Sequence, residues 1–397
     1  MPLQNTDQTY GTVSRVLHWL TALVILTAIP LGLVANNLPT ATDAGLKAAS
    51  VVFSFHKTLG VLALLIGTVR ILWTVFQSKP QPLHPDRWLE TALASTVHWL
   101  LYLSLIFVPL TGWAHHAATT GFAPILWPFG QTLPFVPRSE AAADMFGALH
   151  WLLTKVLAAA VILHVAGALK HMLADRDETL GRMAYGRVPA GIATEPKPHR
   201  VTPAVIALAI YAAALGTGAL MGQKAPPADQ VALAPPASEW RVKNGTLSIT
   251  IRQLGQDVTG SFADWTAAIT FDETADVTKM GTISAVISIP SLQLGAVSEQ
   301  AMTADFFDAP NHPTAGFEAV ITTTETGYEA SGTLTLKDRT VPVSMPFILE
   351  LNGDQAKASG TTTLDRRAFG IGAGYADQTS LGFPVTVNVE LEATRGP

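Results

Sequence analysis

The chain has 397 residues, of which 48% are hydrophobic and only 14% charged, with a formal net charge of −5. An ordinary soluble protein carries about 25% charged residues, so the composition excludes a purely soluble globular chain. The absence of cysteine excludes disulfides, iron–sulfur clusters and covalent c-type haem, and the absence of a concentrated basic stripe argues against nucleic acid as a partner.

Five apolar segments follow in order: Val16–Ala35, Val51–Phe76, Thr91–Trp113, Phe146–His171 and Thr202–Met221. Each has the roughly 20 residues that an α-helix needs to cross a bilayer. The first is long and is not followed by an A-x-A-like cleavage site, so it reads as an uncleaved anchor. Basic residues mark the cytoplasmic loops. Lys79 and Arg87 follow the second segment, and Arg176, Arg182, Arg187, Lys197 and Arg200 follow the fourth. The loops 36–50 and 114–145 hold only Lys47 and Arg138. The N-terminus is therefore expected in the cytoplasm and everything beyond Met221 outside.

The fourth segment carries His150 and His164. At about 100° and 1.5 Å per residue, their separation leaves them roughly 40° apart round the helix and about 21 Å apart along it. One helix face thus presents an imidazole near each membrane surface. Ionisable groups at such depth are costly and usually functional, and neutral imidazole is a ligand of haem iron. Depth supplies partners: His18 with His164 near the inner surface, His56 with His150 near the outer one. Two non-covalent haems with bis-histidine iron, suited to electron transfer, are the expectation. A lone intramembrane histidine is as often a hydrogen-bonded packing residue, but four that pair by depth favour ligation.

His98 and His171 are rivals on the inner side, better read as hydrogen-bonding to a propionate, to backbone or to interfacial water. His115 and His116 end the third segment, where a solvated loop outweighs a rim or quinone-contact role; His84, His199 and His312 have no partner pattern. Arg70 and Arg15 are placed to neutralise propionates of the inner haem, although inside anchoring explains Arg15 equally well. Lys57, beside His56, is the candidate catalytic residue: it either pairs with a propionate or attracts an anionic substrate, against the alternative of snorkelling to headgroups. Gly60, one turn beyond His56, would let a flat porphyrin approach the backbone.

Residues 222–238 are rich in Ala and Pro and read as a semi-rigid tether. Beyond Glu239 the period shortens to alternating runs such as TLSITIRQ, TISAVISI, FEAVITT and VPVSMPFILEL, separated by turn residues. About eight such runs indicate an antiparallel barrel or sandwich. Attachment to five spanning helices favours a water-soluble barrel over an outer-membrane one. The fold class is thus an all-α transmembrane bundle, four haem-binding helices plus a fifth anchor helix, followed by an all-β antiparallel barrel. The expected domains are 1–190, the fifth helix with its basic connection at 191–221, the linker 222–238 and the barrel 239–397.

SRVLHWL at 14–20, HKTLG at 56–60 with Arg70 after it, WPFGQTLP at 127–134 and LHWLLTKVLAAAVILHVAGALKH at 149–171 resemble the bacterial dihaem cytochrome b561 family over roughly residues 8–187. The resemblance implies two haem b groups and places the family's ligands on His18, His56, His150 and His164. It further implies exchange of electrons with ubiquinone, one branch of the family oxidising superoxide at the periplasmic face. The fifth segment lies outside that pattern. The tail, through DFFDAPNHPTAGFEA at 305–319, GTLTLKDRTVPVSMPF at 332–347 and DRRAFGIGAG at 365–374, is similar to the YceI family of periplasmic lipocalin-like barrels, which implies an isoprenoid lipid in an apolar interior. Lys337–Asp338 stands where many relatives have an Arg–Gly turn.

Together these imply a bacterial inner-membrane oxidoreductase passing electrons from superoxide to ubiquinone, with a periplasmic barrel holding an isoprenoid or quinone tail. Two alternatives stay open: ubiquinol oxidation with delivery to a soluble periplasmic acceptor, and a non-enzymatic isoprenoid carrier with redox-sensing haems.

Overall fold

A computed structural model describes residues 2–84, 86–119, 123–126, 128, 130–188, 201–223, 233–234, 236–277 and 279–396. The expected tether, 222–238, falls mostly outside these residues, as do Lys197, His199 and Arg200. By contacts the chain divides into two compact units, 1–37 with 51–118 and 124–224, and 38–50 with 119–123 and 225–397.

The first unit is helical: α1 (Thr12–Asn37), α2 (Asp43–Val75), α3 (Trp88–Ala118), α4 (Glu140–Lys170), the short α5 (Thr179–Ala184) and α6 (Thr202–Met221). Among the described residues five helices have the length and apolarity to cross a membrane. The four longer ones extend past the apolar segments because a helix continues after its hydropathy has fallen; Ser139, for instance, caps α4 by accepting a hydrogen bond from the Ala142 N–H. Large apolar side chains such as Leu26, Leu33, Ile162 and Leu208 stay exposed, as lipid-facing positions do.

The inward faces pack closely. Val97, Leu100 and Val108 of α3 meet Leu153, Leu157 and Ala160 of α4 and Ala207, Tyr211 and Ala214 of α6 in one buried cluster. Tyr211 also donates a 2.7 Å hydrogen bond to Ser104 Oγ, both residues being buried. A β-carbon at Gly218 would lie 2.8 Å from a Leu149 methyl, so glycine is what allows α6 to approach α4 there. The fifth spanning helix is thus an integral wall of the bundle, beyond the added anchor that its sequence implies.

After α4 the chain takes a π-helical turn, His171–Asp175, and Arg176 adopts a left-handed φ of 53°. This reverses the backbone and returns Asp177 to His171. Burial alone would raise the Asp177 carboxyl, but hydrogen bonds from Thr179, His171 and His84 outweigh it and hold it at about 2.

The second unit contains an antiparallel barrel. Its strands are β1 (Trp240–Gln253), β2 (Gln256–Phe262), β3 (Trp265–Phe271), β4 (Gly281–Ser288), β5 (Leu292–Gln293), β6 (Thr314–Thr324), β7 (Gly327–Leu336), β8 (Arg339–Asn352), β9 (Gln355–Asp365) and β10 (Leu381–Arg395), with the one-turn α7 (Ser298–Ala301) between β5 and β6. β1 and β10 pair from Trp240↔Arg395 to Gln253↔Leu381 and close the ring. β2 pairs with the second half of β1 and β3 with its start, so the two share one place in an eight-strand ring. The two-residue β5 attaches to the edge of β2.

Alternation sets which side chains point inward. Leu247, Ile249 and Ile251 pair with Val389, Val387 and Val385, and all six line an interior cavity of about 280 Å3. The β7–β8 hairpin turns through Lys337 with a left-handed φ of 54°, a conformation that suits glycine better than lysine. At one end of the barrel the buried Arg366 guanidinium donates to the carbonyls of Gly382, Ile371, Gly372, Tyr375 and Leu381 at 2.6–3.1 Å. Gly372 has a φ of 63°, and a β-carbon there would lie 3.0 Å from that guanidinium. The DRRAFGIGAG text therefore encodes an arginine wrapped by its own loop.

Candidate dihaem site

Two pairs of imidazoles lie between the helices of the first unit. The His56 and His150 rings have centroids 6.2 Å apart, and those of His18 and His164 are 5.9 Å apart. Two imidazoles on opposite sides of one metal, with bonds of about 2 Å, bring their centroids to roughly 6 Å. Both pairs have that spacing. His98 of α3 lies nearer to His164, at 5.2 Å, too close for the two to ligate one iron from opposite sides.

The His56–His150 pair is oriented by backbone. His56 Nδ1 is 2.9 Å from the Ala28 carbonyl on α1, and His150 Nδ1 is 2.9 Å from the Val108 carbonyl on α3. An imidazole that donates its Nδ1–H to a carbonyl keeps the Nε2 lone pair for a metal. Each carbonyl is followed four residues later by a glycine against which the ring rests. A β-carbon at Gly32 would come within 2.8 Å of His56 Cε1, and one at Gly112 within 2.8 Å of His150 Cε1. Pro30 and Pro109 stand in these same turns. The text P-L-G at 30–32 and P-L-T-G at 109–112 is thus the sequence signal of two ring cradles. A third has the same build: His115 Nδ1 is 2.8 Å from the Ala143 carbonyl, and a β-carbon at Gly147 would lie 3.2 Å from it.

The His18–His164 pair has a different neighbour. Arg70 Nη2 donates to His18 Nδ1 at 3.0 Å. That tautomer puts the proton on His18 Nε2, so a His18 that ligates through Nε2 has to release Arg70. Arg15 donates to Thr12 Oγ1 and to the Ala184 carbonyl. A β-carbon at Gly60, or at Gly167 on α4, would meet nothing within 4 Å, so both helices present open surface there.

Beside His56, Lys57 Nζ donates to His116 Nδ1 at 3.2 Å, and His116 Nε2 donates to Gln131 Oε1 at 2.8 Å. Gln131 is held by both polar backbone atoms of Ile125, at 2.9 and 2.8 Å. The sequence reading of His115 and His116 as solvated loop residues is corrected here. Both lie inside α3, which runs to Ala118, and His116 is buried. His84 and His171 likewise share a partner, Asp177.

A family model for prokaryotic cytochrome b561 matches residues 9–186. Cytochrome b561 homolog 2 of Escherichia coli K12 is 30% identical over 184 residues, covering 46% of this chain and 95% of that protein. The chain belongs to the prokaryotic cytochrome b561 family. A probable superoxide oxidase CybB of Yersinia pestis is 25% identical over 177 residues, 44% of this chain and 94% of its own. Fused to this cytochrome b561 part is a YceI-like domain, matched over residues 240–393. Among solved structures, Burkholderia cenocepacia BcnA is 26% identical, covering 38% of this chain and 96% of its own with a TM-score of 0.36. A Campylobacter jejuni YceI protein is 16% identical, covering 44% and 99%, with a TM-score of 0.33. The chain is therefore a multi-pass cytochrome b561-type membrane protein with a YceI-like domain, and its family implies haem b.

Proposed function

We propose that this protein is a superoxide:ubiquinone oxidoreductase of the bacterial inner membrane. Carrying the reading are the two imidazole pairs at ligating distance, one towards each end of α4. In this account His56 with His150 and His18 with His164 hold two haem b groups, which supply one-electron transfer between the two faces. In this account the N-terminus is cytoplasmic and the His56–His150 end faces outward, into the compartment of the YceI-like domain, a reading that the basic connections after α2 and α4 support. The name of the Yersinia relative supports superoxide as donor.

The balance is two superoxide anions and one ubiquinone with two protons, giving two dioxygen and one ubiquinol. Each superoxide loses one electron, and the quinone gains two. The chain's own residues contribute charge. Lys57 places an ammonium beside His56, where it attracts a small anion, and its hydrogen bond to His116 continues to Gln131. Lys57→Gln is expected to slow haem reduction by enzymatically generated superoxide about tenfold, the low end of electrostatic steering, with haem content unchanged. Stopped-flow absorbance measures it. No haem reduction by superoxide in the wild-type protein removes the substrate assignment, and reduction by ubiquinol alone reverses the direction.

The YceI-like domain, in the same proposal, holds an isoprenoid or quinone tail in its cavity. The cavity wall is almost wholly apolar, with Gln253, Gln300, Thr362 and Arg366 as its polar exceptions. Organic extraction of the intact purified protein, followed by mass spectrometry, is expected to yield about one polyprenyl-chain lipid per chain. Recovery of bulk phospholipid alone removes this part of the account and leaves the electron-transfer part standing.

A further inference from the structure

At the opposite end of α4 from His150, three metal-ligating side chains from three separate places converge. His84 comes from the connection before α3, His171 from the π-helical turn and Asp177 from the reversal after it. His84 Nε2 lies 2.9 Å and His171 Nδ1 2.7 Å from the same oxygen, Asp177 Oδ2. The two rings are parallel, 4° apart in plane with centroids 6.1 Å apart, so both nitrogens face the carboxylate edge-on. The three candidate ligand atoms all lie within 4.8 Å of one another. Their side chains are 32%, 24% and 12% exposed, which leaves an ion a path from solvent.

The surrounding arginine and lysine ion pairs leave Asp177 apart. Arg87 pairs with Asp175 at 2.9 Å and lies 3.7 Å from Glu90; Lys170 pairs with Glu90 at 2.7 Å and with Asp175 at 2.9 Å. His171 Nδ1 also lies 3.1 Å from Asp175 Oδ2. Arg182 donates to the Gln81 carbonyl and also interacts electrostatically with Asp177. Arg87 and Lys170 are thus matched by Glu90 and Asp175, and the Asp177 carboxylate meets two imidazole nitrogens and the backbone N–H and side chain of Thr179.

We propose that His84, His171 and Asp177 form a binding site for a borderline divalent cation of the zinc type, separate from the haem-binding histidines. Binding needs no net loss of protons from neutral imidazoles. The inward protons move to His84 Nδ1 and His171 Nε2, and all three converging atoms then offer lone pairs. Zinc takes histidine nitrogen at about 2.0–2.1 Å and carboxylate oxygen at about 2.0–2.2 Å, often with three protein ligands and a water. Two nitrogen donors disfavour Mg2+ and Ca2+, which take oxygen. Because the ligands come from different segments, an ion here would clamp the end of α4 to the connection that starts α3.

The test is Zn2+ titration of the intact, haem-loaded protein without a histidine tag, by calorimetry, with Co2+ absorption as a coordination probe. We expect one equivalent of Zn2+, at least tenfold weaker binding in His84→Gln and in Asp177→Asn, d–d absorption from Co2+, and no competition from Mg2+. The haem spectrum of both variants should match wild type, which checks their folding. Absence of stoichiometric Zn2+ binding by the wild-type protein, or equal binding by folded variants, overturns the site and leaves a hydrogen-bonded pin. Should either variant fail to fold, X-ray absorption of the Zn2+-loaded wild-type protein decides: a shell of two imidazoles and oxygen supports the proposal, and any other shell overturns it.

Discussion

His150→Ala is expected to remove one haem of two and leave the other spectroscopically intact. The imidazole is held by the Val108 carbonyl and faces His56 across 6.2 Å, while the His18–His164 pair sits nearly four helical turns further along α4. On the proposed assignment, alanine would take away one of the two side chains that hold this haem and leave its cradle vacant. His164→Ala should remove the complementary haem. Haem counted by pyridine haemochrome, together with the reduced α-band of each variant, measures this. Loss of both haems, or of neither, from His150→Ala would contradict the pairing.

The second large effect is expected at residues that touch no iron. A valine at Gly112 puts a branched side chain where even a β-carbon lies 2.8 Å from His150 Cε1 and 2.9 Å from its Nδ1. The ring has to leave the Val108 carbonyl, which fixes both its tautomer and its aim. Gly112→Val is therefore expected to cost the outer haem about as completely as His150→Ala. Gly112→Ala should weaken its retention by roughly 10–100-fold, the usual cost of disturbing the support of a metal ligand. Gly32→Val should act on the same haem through His56. Retained haem in both valine variants would show that the cradles do not position the ligands.

Much of this was legible in the amino-acid order because spanning helices and ring pairs obey short-range rules. Apolar length locates the five spans, and the fourteen-residue interval on α4 places two imidazoles on one face. The strands of the barrel show as alternation, since each places every second side chain inward.

The supports were harder to read. P-L-G and P-L-T-G are visible, but prolines and glycines in membrane helices have many uses, and their pairing with His56 and His150 is a contact between helices. His116 looked solvent-facing because hydropathy falls at the end of α3. Its ring instead bonds to Lys57 and to a loop residue, Gln131, brought back by its bonds to Ile125. His84 showed no partner pattern and His171 read as bonding to a propionate, backbone or water, because Asp177 becomes their common acceptor only through a π-helical turn and a left-handed Arg176. Hydrophobic periodicity does not register either feature. The packing of α6 on α3 and α4 was equally silent, since its apolar text serves a lipid-facing anchor and a buried wall alike.

The central claim is that α4 supplies one axial ligand to each of two bis-histidine haems. Near-infrared magnetic circular dichroism of the oxidised protein, scaled to its haem and protein content, tests this most directly. The account predicts two haem b per chain, both low-spin with the charge-transfer band of two imidazole ligands. A single haem, or a second that is high-spin or carries a ligand other than imidazole, would contradict it.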